Sequence, residues 1–278
     1  MIHPAERDIG GILFSLSNAS PTSSMDWCEE NYAQSHYIAE WWNTLTNLNY
    51  IFLSFLGFWS FYRTRSEPRS FFPYLGTLCV GVGSWFFHMT LTYQMQLSDE
   101  LPMIWGTSFY LYCIANVNRD NNWTSIIIIG LYCLLLTVYY VVTFDWAFFE
   151  KAFATLVVSS FLVPMYHIWN LSAKFPNHTR EFIILLCNCS LGYIVGVVFW
   201  TTDNVYCDTL RSLRHDIKPF GFLLQFHGWW HLCTGISAYT SDVFAQYMRL
   251  IVIGRTDVRL KWFGPYPIVV LKDKQKSN

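Results

Sequence analysis

Apolar residues run along this chain in long charge-free stretches, not in the short alternating runs of a soluble sheet. Between successive Asp, Glu, Lys and Arg residues lie seven uncharged windows of 18 residues or more: 41–62, 70–98, 101–118, 121–144, 152–173, 182–202 and 219–241. A helix rises 1.5 Å per residue, so about 20 apolar residues cross a hydrocarbon core of about 30 Å. Lipid offers no water to an open backbone, which makes helices the economical form for such runs. A transmembrane β-barrel would show segments of about 10 residues in strict alternation. Ile126 to Ile129 and Val138 to Val142 do not alternate. The pattern predicts an all-α integral membrane protein, a bundle of seven transmembrane helices. No repeat, low-complexity run or second domain interrupts it, so residues 1–278 are expected to form a single domain. A short acidic pre-helix segment at 20–40 precedes the bundle, and a basic tail at 249–278 follows it.

Composition agrees. The 278 residues are 53% hydrophobic and 19% aromatic, with 13% charged and a mean hydropathy of +0.26. Soluble domains carry roughly 25% charged residues, so there is too little charge here to coat a water-facing surface. A net charge of -1 supplies no phosphate-seeking field, which excludes a nucleic-acid partner. Residues 9–25 are too polar to span and lack the basic start of a signal peptide, so the first helix is expected to act as its own insertion signal.

An odd number of spans puts the termini on opposite sides. Thirteen of the 18 basic residues fall on the C-terminal side and five (Arg7, Lys151, Arg211, Arg214 and Lys218) on the other. The excess of positive charge marks the cytosolic face. The C-terminus is therefore expected in the cytosol and the N-terminus in a lumen or outside. Six of the eight cysteines lie within spans, whereas Cys28 and Cys207 both fall on the lumenal side, where oxidation is permitted and a disulfide is open to them.

The same topology gathers chemistry at the lumenal face. His88 lies near the lumenal end of the second span, and His227 and His231 open the seventh from that side. Spacing of four residues stacks His227 on His231 and Ser84 on His88. Asp99 begins the third span at the same level. A lone membrane histidine is most often a hydrogen-bonded packing residue, and an H-x-x-x-H pair alone also suits haem. Three imidazoles at one depth, with a carboxylate beside them, suit zinc with an open fourth position. Asp99 could then take a proton from water and Ser84 could donate to a developing oxyanion. His3, His36, His167, His178 and His215 have no such partners and are read as surface or interfacial. In the pre-helix segment, Asp26, Glu29, Asn31 and Glu40 offer hard oxygens of the kind calcium takes, without the 12-residue loop of an EF-hand. Composition alone favours a solvated, helix-capping acidic stretch there.

Several segments carry a resemblance. DWCEENY (26–32), YIAEWWNTLTN (37–47), GSWFFHMTL (83–91), QLSDELPM (96–103), FWTTDNVYC (199–207) and HGWWHLCTG (227–235) closely resemble the alkaline ceramidases. The likeness runs in family order from about residue 20 to 270 and is strongest to the fungal phytoceramidase and dihydroceramidase branch. It implies a seven-helix intramembrane hydrolase that cleaves the amide of a ceramide to a sphingoid base and a fatty acid. It implies zinc on His88, His227 and His231, with Ser84 and Asp99 as the catalytic polar pair. It also implies calcium on Asp26, Glu29, Asn31, Glu40 and the carbonyl of Trp27, and a disulfide between Cys28 and Cys207. Departures are confined to residues 1–22 and the loops, where substrate preference would reside. The rival reading is a heptahelical receptor resembling the adiponectin receptors, whose similar zinc site comes with a cytosolic N-terminus; glycosylation of Asn18, in the sequon Asn18-Ala19-Ser20, would discriminate. Lys274 and Lys276 resemble a dibasic retrieval signal of the endoplasmic reticulum, with Golgi cycling.

Overall fold

Each charge-free window holds one long helix in the computed structural model, which describes residues 22–120 and 122–272. A short helix α1 (Trp41–Thr46) runs into α2 (Leu48–Thr64). After a 3-10 turn at Pro68–Ser70 come α3 (Phe71–Thr90), α4 (Tyr93–Ala115), α5 (Trp123–Thr143), α6 (Trp146–Leu171) and α7 (Pro176–Val205). A surface helix α8 (Cys207–Asp216) and a 3-10 segment (Phe220–Leu224) lead to α9 (Phe226–Val252). Asn122 caps α5 by accepting the Ser125 N–H at 3.3 Å, and Asp145 caps α6 by accepting that of Phe148 at 3.0 Å. The sequon at Asn18 and the lysines at 274 and 276 lie outside the described residues.

Among the described residues, four helices are long and apolar enough to cross a membrane by length and composition: α3 with its preceding turn, α5, α6 and α7. The remaining long helices fall short for physical reasons. Helix α2 has 17 residues. Helices α4 and α9 carry Gln96, Asp99 and Glu100, and His227, His231, Asp242 and Arg249, groups that the bundle turns inward. Helix α5 shows the opposite character, exposing Ile127, Ile128, Leu131, Leu134, Leu135, Val138 and Val142 as a lipid-facing surface would.

The basic tail and the all-α expectation both need correcting. Residues 249–252 complete α9, and residues 258–271 fold as a β-hairpin. Strand β1 (Val258–Phe263) pairs antiparallel with β2 (Tyr266–Leu271), from Val258 opposite Leu271 to Phe263 opposite Tyr266. Gly264 takes φ 61 in the turn, a conformation that costs glycine little. Val258 and Val269 face inward and join Tyr239, Val243, Phe244 and Tyr247 of α9 in a buried core. The Tyr239 hydroxyl donates to the Pro267 carbonyl at 2.7 Å, and that of Ser60 to Val269 at 2.8 Å. The hairpin thus seals the end of the bundle remote from the histidines.

At that end Arg249 donates to both oxygens of Glu67 (3.0 and 2.9 Å), to Asp120 (2.9 Å) and to the Val117 carbonyl (2.9 Å), while Arg69 also reaches Glu67 at 2.9 Å. Partial burial pushes the Glu67 carboxyl up, but Arg249 and Arg69 outweigh it and hold the group below its ordinary value. A carboxyl depressed in the folded state stabilises above its unfolded pKa, and that contribution is lost as pH falls through the folded value. Glu67→Gln is expected to lower the Tm at pH 7, with the gap to wild type closing below about pH 4. Thermal unfolding in detergent across pH measures this, and a gap independent of pH contradicts it.

Helices α3 and α4 approach unusually closely along small residues, the usual means of bringing membrane helices together. A Cβ at Gly76 would stand 2.6 Å from the Gly106 Cα, and one at Gly83 would stand 1.8 Å from the Ser98 carbonyl oxygen. Both obstacles are backbone. Gly83→Ala must therefore separate the helices beside Ser84 and Asp99, at a cost of about 1–3 kcal/mol or more. A fall in Tm together with a loss of activity is expected, and an unperturbed variant contradicts this account of the crossing.

Candidate metal centre

Helix α3 ends in a way that builds the site. Leu91 turns left-handed (φ 48), leaving the last carbonyls of the helix without intrahelical partners. The pre-helix segment supplies them. Thr22 and Ser23 donate their N–H groups to Leu91, Ala39 to Met89 at 3.0 Å, and Glu40 to His88 at 3.0 Å. This stitching lays Glu40 against the last turn of α3, where its carboxylate meets the His88 ring, Nδ1 to Oε2, at 2.5 Å.

His88, His227 and His231 are all buried, and their ligating nitrogens lie within 4.8 Å of one another. Ring centroids are separated by 5.1 Å (His88 to His227), 4.8 Å (His88 to His231) and 4.7 Å (His227 to His231). Each ring is fixed from behind. With Nδ1 of His88 held by Glu40, its Nε2 is buried with no partner. His231 donates Nδ1–H to the Asn43 carbonyl at 3.0 Å, with the Thr46 hydroxyl also at 3.0 Å. Because a carbonyl can only accept, the Nε2 of His231 keeps its lone pair free. His227 stacks on Trp27 with centroids 4.0 Å apart, its backbone N–H donates to Asp203 at 3.3 Å, and its Nδ1 is buried without a partner. Buried nitrogens lacking hydrogen bonds are costly unless something else takes their lone pairs. The carboxylate behind His88 and the carbonyl behind His231 are the arrangement that orients imidazoles toward a metal, while His227 is held by stacking on Trp27. The donor set fits a tetrahedral zinc with one open position.

Ser84 lies one turn before His88 on the same face of α3, and its hydroxyl is the side-chain partner of Asp99 on α4. Both line a cavity of about 470 Å³ together with His227 and His231. The predicted metal and catalytic residues therefore converge.

The positions predicted for calcium are linked pairwise and, among the described residues, do not form a cluster at ligand spacing as the histidines do. Asn31 donates to Asp26 at 3.0 Å. Glu29 accepts the N–H groups of Trp42 (2.7 Å) and Asn43 (2.8 Å) at the start of α1, so the helix-capping reading holds for that residue. Glu40 accepts the Trp27 N–H at 3.2 Å on one oxygen and the Asn43 amide at 3.1 Å on the other, while the Trp27 carbonyl faces Arg211. The stretch is solvated in part, as composition suggests: Asp26 and Asn31 are exposed, whereas Glu29 and Glu40 are 2% and 0% exposed. Burial pushes both carboxyls up to about 8 against the hydrogen bonds that pull them down; the Glu40 charge adds to the rise at Glu29, and that of Asp26 to the rise at Glu40. A cation shared among these oxygens would offset that cost.

Cys28 and Cys207 form a disulfide, with Cα atoms 5.3 Å apart, that fastens the pre-helix segment to α8. Arg214 reinforces it by donating to the Cys28 carbonyl at 2.8 Å and to Glu30 at 3.0 Å. The other six cysteines are free. Among the remaining histidines, His36 and His215 are exposed as expected, and His178 is half-buried against Glu181 and Tyr247. His167 is corrected: it is 7% exposed, packed into the interior face of α6. His3 lies outside the described residues. Sequence reasoning missed Glu40 as the partner of His88, and Asn43 and Thr46 as those of His231. The only available signal was that Asn43 and Thr46 are three apart and so share a helix face.

Residues 19–270 match the family model described as Ceramidase. The chain is 34% identical over 265 residues to "Alkaline ceramidase 3" of Mus musculus, covering 92% of this chain and 94% of that protein. It is 36% identical over 278 residues to "Alkaline ceramidase YPC1" of Saccharomyces cerevisiae, covering 92% and 87%. It is 26% identical over 262 residues to "Alkaline ceramidase" of Arabidopsis thaliana, covering 92% and 95%.

Proposed function

The chain belongs to the ceramidase family, and from that premise we propose that it cleaves the ceramide amide at a zinc centre held by His88, His227 and His231. It is a multi-pass membrane hydrolase of ceramides, an alkaline ceramidase by kinship. The receptor reading is set aside on the same ground. One observation carries the metal assignment: three buried imidazoles bring ligating nitrogens within 4.8 Å of one another beside Ser84 and Asp99, and those of His88 and His227 include a buried nitrogen without a partner.

Zinc in that position would supply a Lewis acid for the amide carbonyl and acidify water at neutral pH. The chain's own residues perform the rest. Asp99 accepts the proton of the attacking water and returns it to the nitrogen of the leaving sphingoid base. Ser84 donates a hydrogen bond to the carbonyl oxygen as negative charge develops there. Glu40 and the Asn43 carbonyl hold the rings of His88 and His231 in one tautomer and one orientation. The apolar cavity walls receive hydrocarbon and exclude bulk water. Calcium on Asp26, Trp27, Glu29, Asn31 and Glu40 would lock the pre-helix segment over α3, and so fix Glu40.

Seven spans with a lumenal N-terminus and a cytosolic C-terminus are the topology we favour. The basic-residue asymmetry supports it, and so does a disulfide on the same side as the histidines. In sealed microsomes a C-terminal tag should be open to protease; protection of the tag contradicts this orientation. Lys274 and Lys276 support residence in the endoplasmic reticulum with Golgi cycling, and the fungal likeness supports phytoceramide or dihydroceramide as substrate. Hydrolysis of a ceramide panel by detergent-purified protein, wild type beside Asp99→Ala, tests the function. The expected result is release of base and fatty acid by wild type alone. Equal release by both, or by neither, contradicts it.

A further inference from the structure

The metal centre has a second polar layer beneath it. Thr77 lies eleven residues from His88 on α3, Tyr110 eleven from Asp99 on α4, and Asp242 eleven from His231 on α9. Eleven residues make just over three full turns, so each pair shares one helix face at a separation of about 16 Å. All three deeper residues are buried, with Thr77, Tyr110 and Asp242 6%, 4% and 5% exposed. They line the same cavity as His231, Ser84 and Asp99. The Thr77 hydroxyl donates to Asp242 at 2.7 Å, and the Tyr110 hydroxyl points to the Ser160 carbonyl at 3.4 Å. Between the two layers the walls are mixed, with Val80, Met103, Phe153 and Val157 beside the hydroxyl-bearing Thr107, Thr234 and Ser237, and without a carboxylate on α3, α4 or α9.

Asp242 is out of place for a packing residue. Among the described residues it has no ion pair, and Thr77 alone hydrogen-bonds its carboxyl. An ionisable side chain that deep in a membrane protein is costly and is retained where it serves a site. We propose that Asp242, with Thr77 and Tyr110, forms a polar floor that limits the length of the hydrocarbon chain the cavity accepts. This rests on the ceramidase reading. A chain that ends above the floor leaves these groups their partners and water. A longer chain presses its terminal methyl onto a carboxyl and two hydroxyls and strips water from them without replacing a hydrogen bond. The discrimination comes from the polarity of the floor more than from its size.

The test measures kcat/KM in detergent for two ceramide series, one varying acyl length and one varying base length. It compares wild type with Asp242→Leu, Asp242→Asn and Tyr110→Phe. Leucine keeps the branched shape of aspartate, is somewhat larger and removes its polarity, whereas asparagine keeps both shape and polarity; added bulk alone would shorten the cavity and so lower the long-chain ratio. In one series, Asp242→Leu is expected to raise the ratio of long-chain to short-chain kcat/KM by about tenfold, the order set by relieving one stripped polar group. Asp242→Asn should hold the ratio within about twofold, and Tyr110→Phe should raise it less than leucine does. A merely structural role for Asp242 would depress every substrate alike and leave the ratio fixed. If Asp242→Leu does not fold, Tyr110→Phe carries the same comparison. Ratios unchanged in both series overturn the floor while leaving the hydrolase reading intact; a wild type that cleaves no member of either series overturns that reading, and the floor with it.

Discussion

Alanine in place of His88, His227 or His231 is expected to abolish ceramide hydrolysis and bound zinc together. Losing one of three nitrogens leaves zinc with two protein ligands, too few for a catalytic site. It also removes the Lewis acid, worth several kcal/mol, so activity should fall at least about 10³-fold. The backbone around the three rings is held by contacts the substitutions do not touch, including the bonds from Ala39 and Glu40 to the end of α3 and the Cys28 to Cys207 disulfide. The variants should therefore fold. Metal content by elemental analysis, measured beside turnover, is the check, and an alanine variant that keeps either activity or stoichiometric zinc contradicts the assignment. Asp99→Asn should keep the zinc and lose about 10²–10⁴-fold in rate.

The second large effect is expected at Glu40. Its carboxylate touches His88 on one side and the Trp27 N–H on the other, so it joins the metal centre to the pre-helix segment. Glu40→Gln removes the negative charge that orients His88, and loss of such a partner typically lowers metal affinity or activity by about 10–100-fold. Glu29→Gln, which caps α1 and does not touch a histidine, should weaken calcium binding and leave zinc affinity nearer that of wild type. Chelating calcium from the wild type should mimic a fraction of the Glu40→Gln defect and lower the Tm. Zinc titrations of the two variants, with and without calcium, separate these contributions. Equal zinc affinity in Glu40→Gln and wild type, or indifference of both activity and Tm to calcium, contradicts the coupling.

Much of this was readable before any coordinates. The charge-free windows each hold a long helix, and depth along successive helices brought His88, His227, His231, Ser84 and Asp99 to one level. What depth cannot supply is azimuth: nothing in the spacing says that Glu40 folds back onto the end of α3, because that contact rests on backbone carbonyls freed by the turn at Leu91. Window edges drawn at charged residues also mislead where charge is buried. Asp99 and Glu100 sit inside α4, Asp203 inside α7 and Asp242 inside α9, so the charge-free windows stop short of helices that continue through them. The hairpin at 258–271 hid behind its basic residues. Arg259 and Lys261 lie on β1, while the apolar positions that seal the bundle, Ile268 and Val269, lie across the turn on β2.

Zinc K-edge X-ray absorption on the purified wild-type protein addresses the central claim most directly. The account predicts one zinc per chain with three imidazole nitrogens at about 2.0–2.1 Å and one further light-atom ligand, a signal that His88→Ala abolishes along with hydrolysis. A fully active protein without stoichiometric zinc, or an edge spectrum showing sulfur ligands, would contradict it.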